Sequence, residues 1–355
     1  MKAMLLRAAT VVAMLLMASV ASANVINIAT VHVGDVGNAA DSTGYGQVNY
    51  AYNIGKFEVT AGQYTAFLNA VAKTDTYGLW NPGMNNASYG SGITRNGGLT
   101  EGDFTYTVGS VWANLPVNYV SFWDACRFAN WLQNGQPTGA QGPGTTETGA
   151  YTLTPDGITT NTIARNAGAT WAVTNENEWY KAAYYDPNKY GIGLAGYWKY
   201  PTKSDTAPGR DMNDPYPGNN ANYYYFGSGT YPIDRDDGRF TTLVGQFQDS
   251  ASPYGTFDQG GNVSEWNEAT VIGSNGLSYR SWRGGSFRSD ANDLLASHRS
   301  YDLPTSEFNT IGFRVVELIP AESPTVPVPS AALAGMILLG VMGVSRCCRR
   351  KHARA

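Results

Sequence analysis

The stretch FDQGGNVSEWN, Phe257 to Asn267, gathers two carboxylates, three carboxamides and two adjacent glycines among aromatic residues. Asp258 and Glu265 carry hard oxygen donors. Such donors suit calcium, which mixes carboxylates with backbone carbonyls in a flexible shell. The glycines let the chain curl so that carbonyl oxygens turn inward. The same residues also fit a tight turn with solvated carboxylates. Asn262-Val263-Ser264 is formally a glycosylation sequon, but it reads as a by-product of the surrounding pattern.

Other residues able to do chemistry are scarce. The histidines are His32, His298 and His352, and the cysteines are Cys126, Cys347 and Cys348. His298 stands beside Arg299 with no nearby Ser/Asp pattern that would make it a general base, so it reads as a surface or loop-packing residue. Cys126 lies on an apolar helical stretch, where a lone cysteine usually packs. The net charge is −4 without a basic patch, which argues against nucleic acid as a partner.

The residues that could position such a site lie between two segments that read as addresses. Lys2 and Arg7 precede the apolar run from Ala8 to Val20, and Ala21-Ser22-Ala23 follows. This is the layout of a signal peptide over residues 1–23, with cleavage after Ala23. At the other end, Pro324, Pro327 and Pro329 mark a linker, Ala331 to Val344 is apolar, and Arg346, Arg349, Arg350 and Lys351 close it. That order predicts a short membrane segment with a basic cytoplasmic stop. Residues 24–320 are then one domain, and residues 321–355 are linker and tail.

Within the domain, charged residues make up 15% of the whole chain, below the usual roughly 25%. Gly and Asn abound, so much of the domain should be irregular. Asn53 to Val59 reads as a strand entering a helix that starts at Thr60, where Gln63 completes a capping box. Tyr64, Phe67, Leu68 and Val71 form its core face. A second helix is predicted from Ser121 with Asp124 in the capping position, and a third from Asn175 with Glu178. Asn134-Gly135 and Asp186-Pro187 stop them. Trp282 to Phe287 and Gly312 to Val316 read as short strands. The fold class is therefore α+β with few regular elements and long, ordered loops, which something must pin.

IGKFEVTAGQY, LPVNYVSFWDACRFANWL, TNENEWYKAAYYDP, FDQGGNVSEW, WRGGSF and IGFRV occur in this order from about Asn53 to Val316. Together they resemble the formylglycine-generating enzyme (sulfatase-modifying factor) family. The resemblance implies a loop-rich variant of the C-type lectin fold. It also implies oxidation of a sulfatase cysteine to formylglycine by two cysteines that hold copper(I). Soft thiolates are the natural ligands of that ion. The implied cysteine positions hold Ser289 and Leu294, and no cysteine exists between Cys126 and Cys347. Copper is therefore not expected. The family's structural calcium is expected: the resemblance implies Asp258, the Gly261 and Val263 carbonyls and Glu265 as one site. It implies Asn222, the Tyr223 carbonyl, Asp236 and the Gly238 carbonyl as a second.

The tail resembles the PEP-CTERM sorting signal in its VPxP-type variants, through Val326, Pro327, Val328 and Pro329. That resemblance implies an exosortase-type partner, transient anchoring in the inner membrane and display at the cell surface or outer envelope. The expected function is a calcium-stabilised binding or matrix protein, with extracellular polysaccharide or protein as ligand. The alternative is an oxidoreductase of the formylglycine-generating type.

Overall fold

In the computed structural model the described residues are 25–97, 102–224 and 238–319. All belong to the first of two compact units, which runs from Met1 to Ile319. Ala23, Asp236, the motif Val326 to Pro329 and the apolar segment from Ala331 lie outside the described residues. Among the described residues no helix is long and apolar enough to cross a membrane.

The architecture is mixed α/β, rich in sheet and poor in helix. One sheet orders its strands β1 (Thr30–Val33), β2 (Tyr52–Gly55), β12 (Val315–Leu318) and β5 (Trp171–Val173), all antiparallel neighbours. A second orders β10 (Ser300–Asp302), β9 (Ser278–Arg283), β8 (Ser264–Ile272) and β11 (Ile311–Phe313), with β11 parallel to β8. Two small hairpins complete the set: β3 (Ile93–Asn96) with β4 (Thr105–Val108), and β6 (Tyr185–Asp186) with β7 (Gly196–Tyr197).

The helices form where their caps are written. Helices α1 (Ala61–Val71), α2 (Phe122–Gln133) and α4 (Glu176–Tyr184) each start at a complete capping box, on Thr60/Gln63, Ser121/Asp124 and Asn175/Glu178. Each box satisfies two amide N–H groups that the first turn would otherwise leave open. Helix α3 (Pro155–Thr160) is a single short element capped by Thr154. The aromatic faces of α1 and α2 meet, with Phe67 and Phe128 rings 5.4 Å apart and Phe313 of β11 5.4 Å from Phe128. This is the core seam between helices and the second sheet.

Helix α2 is buried almost throughout. Several of its polar side chains are paired internally, although the Trp123 indole N–H is buried without a partner. Arg127 forms a two-pronged bond to Glu147 at 2.8 and 3.1 Å, and Asn130 donates to the Thr146 carbonyl while accepting from the Tyr151 N–H. Burial is the main force on the Asp124 carboxyl, raising its pKa to about 6 against the opposing pull of Arg127 and Ser121. Glu307 accepts from the Asn81 side chain and rises to about 7, through burial first and then Asp124. Both values lie above the ordinary carboxyl range near 4. Between that range and about pH 6–7 the folded chain holds more protons than the unfolded one. The stability these groups give is full below pH 4 and is lost as pH rises through their folded values. In denaturant titrations at pH 5 and 7.5, Glu307→Gln is expected to be less pH-dependent than the parent. An equal slope would assign the effect elsewhere.

Three predicted strands end or divide earlier than expected, two of them at Arg314 and one at a pair of glycines. Gly312–Val316 divides at Arg314 into β11 and β12, which belong to different sheets. Strand β2 ends at Gly55, whose carbonyl accepts from the Arg314 guanidinium at 2.9 Å. Trp282–Phe287 ends as a strand at Arg283, because Gly284 and Gly285 take left-handed φ of 95° and 68° that a regular strand cannot hold.

Candidate functional site

The FDQGGNVSEW segment folds into the junction of the two sheets. Asp258 adopts a left-handed φ of 59° and accepts from the Gly245 N–H at 2.5 Å. Gly261, φ 89°, lies so near the Asn222 carbonyl that a Cβ would come within 2.3 Å of its oxygen. Only glycine fits there. Asn262 follows, fully enclosed, donating to Glu58 at 3.1 Å and accepting from the Thr242 N–H at 2.9 Å. An enclosed side chain with these bonds offers no glycan acceptor, in keeping with the reading of the sequon.

Glu265, 0% exposed, has a role that sequence reasoning did not assign. Its carboxylate takes two bonds from Arg314, at 2.5 and 2.6 Å, and a third from the Trp179 indole N–H at 2.7 Å. Arg314, also 0% exposed, spends its remaining N–H groups on the Gly55 and Phe257 carbonyls, both at 2.9 Å. One guanidinium thus ties β2, β8 and the loop before Asp258. A buried charge pair of this kind holds only where further hydrogen bonds satisfy both partners, and here they do.

Two more carboxyls share the neighbourhood. Glu58 is 1% exposed, and its Oε2 has no hydrogen-bond partner. Its pKa is pushed well up, by burial first and then by Asp258 and Glu265. Asp258 is raised to about 6, again chiefly by burial. Three carboxyls therefore surround one arginine, and Glu265 already neutralises it.

The second predicted site adjoins the first. Asn222 accepts from the Asn262 N–H at 2.7 Å and donates from Nδ2 to the Phe240 carbonyl and to Asn262 Oδ1. Its Oδ1 is buried without a hydrogen-bond partner. Tyr223 is buried, and Gly238 is exposed with φ 70°. The two proposed sites therefore meet through the Asn222–Asn262 contact. Among the described residues, no three or more His, Cys, Asp or Glu side chains gather as a metal cluster. Further donors would have to be carbonyls or carboxamides, which calcium accepts.

At the implied cysteine positions the surroundings are those of a packed core. Leu294 is 0% exposed among Tyr200, Ala221 and Tyr223. Ser289 is half-buried, its hydroxyl 3.4 Å from that of Ser286 and its carbonyl accepting from the Tyr224 N–H at 2.7 Å. Cys126 is buried in α2, and burial raises its thiol well above the ordinary range. A neutral, enclosed thiol is a poor ligand and nucleophile. His298 lies 3.4 Å from Asp293, and His32 bonds Asn53 at an exposed edge.

The family profile described as "Sulfatase-modifying factor enzyme 1-like domain" matches residues 29–319. The chain belongs to this family. A solved structure agrees at the level of fold. Treponema denticola variable protein 1 is similar at 17% identity and TM-score 0.50, covering 84% of this chain and 98% of that one. CarF matches at 22% identity and TM-score 0.48, covering 82% and 99%. PvdO from Pseudomonas aeruginosa matches at 19% and 0.40, covering 82% and 92%. No curated protein matches the chain. Within this sulfatase-modifying-factor scaffold, capped helices and GNVSEW and IGFRV segments build the sheet junction. The arginine of IGFRV is what locks the glutamate of GNVSEW in place.

Proposed function

We propose that this chain is an exported binding or envelope-matrix protein that has kept the sulfatase-modifying-factor scaffold and lost its copper chemistry. The observation that carries the reading is Leu294, a core-packed side chain with no metal-binding atom where the family places a thiolate. Ser289, at the other position, offers a hard hydroxyl that suits copper(I) poorly. The scaffold is read as a variant of the C-type lectin fold, and the tail at Val326 to Pro329 as a sorting signal handled by an exosortase-type enzyme at the inner membrane. The destination is then the cell surface or outer envelope.

Calcium belongs to the same reading. The partnerless Oδ1 of Asn222 and the surplus of carboxyls around Arg314 both call for a hard cation. Asn222 with the Tyr223 and Gly238 carbonyls, joined by Asp236, would hold one ion. Asp258 with the Gly261 and Val263 carbonyls would hold another. Glu265, committed to Arg314 and Trp179, supports that loop rather than leading the ligand set. Bound calcium would supply charge neutralisation and pin loops that few regular elements hold.

The test is direct. The purified protein is incubated with copper and a peptide containing the Cys-x-Pro-x-Arg sequence of sulfatases. No aldehyde is expected by mass spectrometry. A copper-dependent aldehyde product would replace this reading with the oxidoreductase one.

A further inference from the structure

A cavity of about 560 Å³ opens between the turn at residues 41–43 and the β6–β7 hairpin. Its size fits a ligand of two or three rings. Tyr190 stands at its edge with 66% of its surface exposed, yet the ring is not loose. It packs against Gly196, where a Cβ would come within 2.5 Å of Cε2. Its backbone N–H donates to the Leu194 carbonyl at 2.9 Å. Trp198 lines the same cavity with its indole N–H fixed on Asp186 at 3.1 Å. Lys189 lies against both rings, 5.1 and 4.6 Å from their centroids.

The polar groups are equally fixed. Lys189 Nζ donates to the Tyr197 carbonyl at 2.6 Å and to Asp205 Oδ1 at 3.0 Å, which leaves one of its three N–H donors. Asp205 Oδ1 also accepts from the Lys199 N–H at 3.1 Å, and the Asp205 side chain is 43% exposed. Lys189 lines the cavity with a side chain only 5% exposed, and its spare donor stands beside Asp205 carboxylate lone pairs that still face solvent. Two neighbouring hydroxyls, each able to donate and accept, match such a pair. The ion pair cancels its own charge, so the cleft favours an uncharged ligand over an anionic one. An exposed, rigid aromatic face beside a donor–acceptor pair is the arrangement that takes a pyranose: its C–H face on the ring and its vicinal diol on the polar pair.

We propose that this cleft binds a neutral saccharide chain, with Tyr190 as stacking platform and the Lys189–Asp205 pair as the diol contact. The proposal rests on the reading of the chain as a binding protein and gives that reading a site. The full-length protein is titrated calorimetrically with neutral gluco-, manno- and N-acetylglucosamine oligosaccharides, and with an oligouronate for contrast. A neutral oligosaccharide is expected to bind, with the oligouronate at least about tenfold weaker. Tyr190→Ala and Asp205→Asn are each expected to weaken binding about tenfold, as loss of one stacking or charged contact does. Tyr190 is exposed, so its variant should melt with the parent. Ile192→Ser, at the 99% exposed tip of the same hairpin, should bind like the parent. Saccharide binding that is untouched by Tyr190→Ala and Asp205→Asn would overturn this cleft while leaving a binding protein. Absence of binding by every neutral oligosaccharide, or preference for the oligouronate, would overturn the assignment of a neutral saccharide. Neither result bears on the aldehyde test.

Discussion

Arg314→Met is expected to destabilise the domain by about 3–5 kcal/mol, the usual loss when one partner of a buried ion pair is removed. The substitution keeps the volume of the side chain's stem but leaves Glu265 charged, enclosed and held only by Trp179. The Gly55 and Phe257 carbonyls lose their donors as well. Equilibrium urea unfolding reads the effect as a lower midpoint at unchanged slope. The double variant Glu265→Gln with Arg314→Met should recover part of the loss, because Glu265 no longer carries a charge that needs the guanidinium. A parent-like midpoint for Arg314→Met would mean that the sheet junction is held by apolar packing alone.

The second large effect concerns calcium. Chelation should lower the melting temperature by about 5–10 °C, and added calcium should restore it. That magnitude follows from an ion bound at roughly a hundred times its dissociation constant, worth about 2.7 kcal/mol, in a domain where each kcal/mol moves melting by about 2–4 °C. Asp258→Asn preserves shape and removes one ligand charge, so it should shrink the calcium response. Asn222→Ala should shrink it too, because it removes the buried Oδ1 that has no protein partner. Melting curves that coincide with and without chelator would contradict both calcium sites.

Much of this fold was legible before the structure. The capping boxes at Thr60, Ser121 and Asn175 are local chemistry, and local chemistry survives folding unchanged. The apolar spacing of Tyr64, Phe67 and Leu68 gave the buried face of α1 for the same reason. What escaped was long-range. Arg314 reads as an ordinary strand residue in IGFRV, and only the folded chain reveals that it separates two sheets and reaches Glu265, forty-nine positions away. Glu265 therefore read as a calcium ligand and not as the partner of an arginine. Glu58, within the IGKFEVT motif, carried a signal that could have been used: a charged residue in a segment otherwise set to be buried demands a partner. Tyr190 and Asp205 come together through the hairpin and the turn at residues 41–43, and no periodicity announces such a cleft.

We propose that the scaffold holds calcium and not copper. Elemental analysis of the purified, extensively dialysed protein tests it most directly. The expected result is calcium at close to stoichiometric amounts, removed by chelator together with the thermal stabilisation, and copper at background. Copper retained through dialysis at stoichiometric level, even after incubation with excess calcium, would contradict the account and return the chain to catalysis.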